Sequence, residues 1–173
     1  MELPRQGPPP PIEPKGLFTG VQFRPIIIGA VVDYVGTSIA VILYTMFFYM
    51  GDALDSGMSE EAVEKAFEKM VASPEALLTL FLIGMLGTVL GGYVAGRLAR
   101  VEEVKHGALV GAVALIVALV QASVSEPSPV PEWYNILGYI LAIPAGALGG
   151  SIAQGKGKPP IVDATAGSRG PRF

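Results

Sequence analysis

A single acid stands inside the apolar segment from Pro25 to Met50: Asp33, in the string VVDYVG. Ionisable residues in such segments are costly and mark proton or ion paths, or partnered polar contacts inside a helix bundle. Two chemistries fit Asp33. In one, the carboxylate binds a proton or a small cation. In the other it is a structural clasp, bonded to Thr37, Thr88 or Tyr93 or paired with Arg97. Ion-driven carriers gather several polar groups at mid-membrane, and the apolar segments here supply few. The sequence therefore favours the clasp.

Other chemistry is sparse. His106 is the only histidine, and Glu102 and Glu103 are its only acidic neighbours. One imidazole is a poor metal site, so a hydrogen-bonding histidine at a helix start is the better reading. Gln121, Ser123 and Asn135 are expected to bond between the two last apolar segments. The chain has no cysteine, and no G-x-S-x-G, H-E-x-x-H or Walker pattern appears. An enzyme is not expected, and neither a metal nor a cofactor is implied. A pI near 5.2 excludes a generally basic nucleic-acid binder.

The elements that position these residues follow from composition. The 173 residues are 51% hydrophobic and only 16% charged, against about a quarter charged in an average soluble domain. Four stretches, at about 25–50, 75–98, 106–125 and 133–153, are nearly free of charge. Each is long enough as a helix to cross a hydrocarbon core of ~30 Å. The expected fold is an all-α membrane protein, a four-transmembrane-helix bundle spanning 25–154. The first stretch is too long for a signal-peptide core and reads as a retained anchor.

Ten of the twelve Lys and Arg fall in the N-terminal segment 1–24, the connection holding Arg97, Arg100 and Lys105, and the C-terminal segment 155–173. Lys65 and Lys69 alone share the other side with nine acids. Both termini are then expected in the cytoplasm, as proline-rich or glycine-rich tails. Aromatic residues at Tyr44, Phe47, Phe48, Tyr49, Trp133 and Tyr134 suit an interfacial belt on the outer side.

Between the first two spans, Ser59 suits a helix N-cap, and Glu60 and Glu61 suit its first turn. Val63, Ala66, Phe67, Met70 and Val71 share one face, so an amphipathic surface helix is expected over about 59–72. Its apolar stripe would cover the bundle or meet a partner, with Val63, Phe67 and Met70 as the contact candidates. The connection SEPSPVPEW reads as a short, stiff turn.

Lipid tails are as apolar as leucine, so membrane helices associate where small residues let backbones approach. Rows at i+4 spacing run through Gly84, Thr88, Gly92 and Gly96, through Gly107 and Gly111, and through Gly138, Ala142, Gly146 and Gly150. Gly29, Asp33 and Thr37 form the matching row in the first span, which turns Asp33 inward. LGGYVAG and LGGSIAQG, with GAVVD and GALVG, are consistent with two repeated helical hairpins.

GGYVAGRLAR followed by HGALVG resembles a pattern in small uncharacterised bacterial four-helix integral membrane proteins. There a GGxxAGR helix end and an HGxxxG helix start flank a short cytoplasmic turn. The resemblance implies a multi-pass protein of the bacterial cytoplasmic (inner) membrane and assigns no activity. The acidic outer helix and the proline-rich tail depart from it. The expected role is a non-enzymatic structural, assembly or accessory subunit of a larger membrane complex, contacting lipid and other subunits or itself. The alternative is a small proton- or cation-coupled transporter or channel using Asp33.

Overall fold

The computed structural model describes residues 20–124 and 130–155. The readings made for residues 1–19, for most of SEPSPVPEW and for residues 156–173 lie outside them. Among the described residues every regular element is helical: α1 (Phe23–Phe48), α2 (Gly51–Asp55), α3 (Glu60–Val71), α4 (Pro74–Ala99), α5 (Glu103–Val124) and α6 (Glu132–Gly155).

Local chemistry sets the ends. Ser59 caps α3 by accepting from the Ala62 amide at 3.4 Å, and Lys65 pairs with Glu61 at 2.7 Å on its exposed side. Ser73 caps α4 through the Ala76 amide at 3.2 Å, with Pro74 at the first helical position, where its missing N–H costs nothing. At the other end α4 stops at Arg100, which is left-handed with φ 58°, and Glu102 follows with φ 48°. Neither is glycine, so this three-residue turn into α5 holds two residues in a conformation that side chains disfavour. The five-residue α2 was not foreseen; it turns the chain between α1 and α3.

Helices α1, α4, α5 and α6 have 26, 26, 22 and 24 residues with mean hydropathies of 2.2, 2.0, 2.3 and 1.7. Each is long and apolar enough to cross a membrane. Their residue distribution runs opposite to that of a soluble protein. In α4 the buried positions are mostly glycine, alanine and threonine, whereas Leu78, Leu82 and Leu86 are 58%, 51% and 67% exposed. The interior is small-residued and the leucines face out.

Helix α4 is central and touches α1, α5 and α6, and α5 and α6 pack along each other. Helix α1 meets α4 and α5 and makes no contact with α6. Backbones come together where glycines coincide. A Cβ on Gly91 would stand 2.6 Å from the Gly29 carbonyl oxygen, and one on Gly92 would collide with the carbonyl of Gly146. Gly107 and Gly146 meet in the same way, as do Gly111 and Ala142. Gly96 packs against Ala153, and Gly150 against Glu103.

The contacts do not follow the sequence repeat residue for residue. Its offsets map the Gly29–Gly91 contact onto Gly107 and Gly149, yet Gly107 faces Gly146 and Gly150 while Gly149 faces α4 at Val89. A twofold arrangement would also bring α6 to α1, as α4 comes to α5, and those helices are apart.

Two further expectations change. Gly84 does not serve helix packing, because nothing lies within 4 Å of the Cβ it would carry. Met70 is not a free contact residue: it is buried, and its sulfur accepts from Thr45 Oγ1 at 3.7 Å. Ala66 is buried with it, Val63 is half-buried, and Phe67 stays 41% exposed. Helix α3 thus leans part of its stripe on the end of the helix group and leaves Phe67 outward.

Candidate functional site

Asp33 lies about 15 Å along α1 from Phe23. It is 8% exposed. The glycines of α4 create its place. Gly91 is so close that a Cβ there would stand 2.8 Å from the Asp33 Cβ, and a Cβ on Gly87 would collide with Thr37 Oγ1. Two hydroxyls donate to one carboxylate oxygen: Thr37 Oγ1 to Oδ1 at 3.3 Å and Thr88 Oγ1 to Oδ1 at 3.4 Å. Thr88 also reaches the Gly84 carbonyl at 3.2 Å, so its one proton is shared between two acceptors. Of the four partners considered from sequence, Thr37 and Thr88 bond to Asp33, through long hydrogen bonds to Oδ1 alone.

Oδ2 has no hydrogen bond among the described residues, yet no buried side-chain oxygen there lacks a partner. Oδ2 is therefore open, and what it opens onto is a cleft of about 510 Å³. The cleft runs from Ala30 to Val41 on α1, with Asp33 near its start, from Val113 to Gln121 on α5 and from Tyr134 to Ala142 on α6. That is about 17 Å along α1 and about 12 Å along α5 and α6. Gly84 and Gly138 border it, and each has empty space where a side chain would be. The opening exists because α1 and α6 do not meet. Its walls are largely apolar, with Tyr139 beside them and Gln121 and Asn135 at the end away from Asp33.

Two residues expected in this polar group lie elsewhere. Tyr93 is five residues beyond Thr88 on α4, with its backbone against Gly149 of α6. Arg97 lies about 14 Å along the helix from Thr88. It is exposed and lines a separate recess of about 270 Å³ with Arg100 and Glu103. It does not pair with Asp33, whose partners are the two threonines. Gln121 and Asn135 face the cleft instead of bonding to each other, and Ser123 donates to Val120 of its own helix.

His106 has a different task. It is fully buried, its Nε2 accepts from the Gln22 amide at 2.9 Å, and Nδ1 stands 3.0 Å from the Glu102 carbonyl. An acceptor at Nε2 leaves the proton on Nδ1, which donates to Glu102, so the ring is neutral. Gln22 Nε2 adds a bond to the Ala99 carbonyl at 3.4 Å. The imidazole ties the entry of α1 to the first turn of α5.

Among the described residues no group of three His, Cys, Asp or Glu could hold a metal ion. The sequence reading missed Gly87, Gly91 and Gly149, although the doublets Gly91-Gly92 and Gly149-Gly150 carried the signal. Consecutive residues on a helix point about 100° apart, so a glycine pair serves two neighbours at once. No family model matches the chain, and no curated protein or solved structure matches it.

Proposed function

We propose that the chain is a four-helix bundle of the bacterial cytoplasmic membrane, both termini cytoplasmic, that works as a small proton- or cation-coupled carrier through Asp33. The observation that supports this most is the open Oδ2 of a buried carboxylate at the inner end of a 510 Å³ cleft. A purely structural clasp needs no such access. The membrane part of the reading rests on leucines facing outward around a glycine interior. The orientation rests on the charge count. Reconstituted into proteoliposomes with a trapped pH or sodium dye, the protein should dissipate an imposed proton or sodium gradient. Asp33→Asn should abolish that flux while the helix group stays assembled. Equal flux in both proteins would sink the carrier.

A second reading, a non-enzymatic structural or accessory subunit of a larger membrane complex, is favoured by α3. Phe67 stays outward on a half-seated helix with an acidic face. Co-purification in mild detergent should then recover a partner that Phe67→Ser loses.

A further inference from the structure

We propose that the cleft binds an amphiphilic organic monocation, a quaternary ammonium or phosphonium head on an apolar body, which enters sideways between α1 and α6. The proposal rests on the carrier reading in that both use Asp33, and it names the ligand class. Charge is the first argument. Among the described residues Asp33 is the one carboxylate lining the cleft and no lysine or arginine lines it, and Oδ2 is the oxygen left to meet a ligand. One negative charge complements one positive charge.

Coordination is the second argument. Hard metal cations want about six oxygen ligands. Around Asp33 the hydrogen-bonded oxygens are its own carboxylate and the hydroxyls of Thr37 and Thr88, fewer than such an ion needs to replace its water shell. A diffuse organic cation needs far fewer oxygens, because it is weakly hydrated.

Shape is the third. The cleft has the size and the mostly apolar lining of a small-molecule site, with Val41, Val113, Val117 and Tyr139 beyond the carboxylate. Because α1 and α6 make no contact, an apolar body can slide in from the lipid side while its charge travels to Asp33.

The test uses the full chain in lipid nanodiscs with tritiated tetraphenylphosphonium and, in parallel, uncharged triphenylphosphine oxide. The wild type should bind the phosphonium saturably, and protons should compete with it while sodium chloride does so only weakly. Asp33→Asn should weaken binding about tenfold or more. Gly138→Leu, at a position where a side chain meets nothing within 4 Å, should weaken it by filling the cleft with Asp33 intact. This second variant carries the test should Asp33→Asn fail to assemble. Equal uptake of the neutral oxide would mean an apolar, lipid-filled groove and overturn the proposal. So would phosphonium binding unchanged in either variant, or none in the wild type. Proton or sodium flux without phosphonium binding would sink this ligand class and leave the carrier standing; phosphonium binding without flux would do the reverse.

Discussion

The two ends of the helix group use the same residue types for opposite purposes. Around Gly92, Gly107 and Gly146, where α4, α5 and α6 converge, glycine lets backbone meet backbone. Toward α3, Gly84 and Gly138 stand on the same i+4 rows and touch nothing, because α1 and α6 have parted and left the cleft. A small residue is thus a contact only where a neighbouring helix arrives; elsewhere the same absence of a side chain is volume. The closed end holds the helices together, and the open end offers Asp33.

The sharpest way to break that contrast is Gly146→Ala. The added methyl would collide with the Gly107 carbonyl and press on Gly111 across the α5–α6 contact, while the Gly92 position is also packed on Gly146. Neither listener is a flexible side chain that can swing away. Overpacking of this kind costs about 3 kcal/mol. Reversible unfolding in mixed micelles should register a loss of that size, and wild-type stability would show that the helices separate without penalty.

His106→Ala should rank next. It removes a fully buried ring and takes the acceptor from the Gln22 amide, while the Glu102 carbonyl keeps the backbone N–H of residue 106 at 3.1 Å. A buried group left without its partner costs about 1–3 kcal/mol. The loss should be localised: amide exchange should quicken at the start of α1 and leave the α3 end unchanged. Uniform exchange across the chain would mean that the imidazole is not a local tie.

Much of the fold is legible in the sequence because it depends on composition and caps. Long charge-free stretches define the four apolar helices, and Ser59 and Ser73-Pro74 mark two helix starts. The interior is less legible. An i+4 row assigns each helix one packing face, but α4 has three long apolar neighbours, so Gly87 and Gly91 toward α1 and Gly92 toward α6 belong to different faces. The placing of Asp33 near Thr37 and Thr88 follows from helical periodicity. Its separation from Arg97 and the cleft beside it do not, because both depend on how α1 sits against α4 and away from α6. The half-seated α3 belongs with these: periodicity groups Val63, Phe67 and Met70, but only the neighbouring Thr45 decides which of them is covered.

The smallest effect should come from the same methyl at the open end. Gly84→Ala adds a Cβ that meets nothing within 4 Å, so no neighbour has to move. Alanine is favoured over glycine inside a helix by about 1 kcal/mol, which sets the upper limit of a gain in stability. The substitution narrows the cleft near Thr88 without reaching Asp33, whose hydroxyl partners remain. Unfolding should therefore show no loss. A penalty as large as that of Gly146→Ala would mean that α4 packs against something at Gly84, and that the cleft is closed in the membrane.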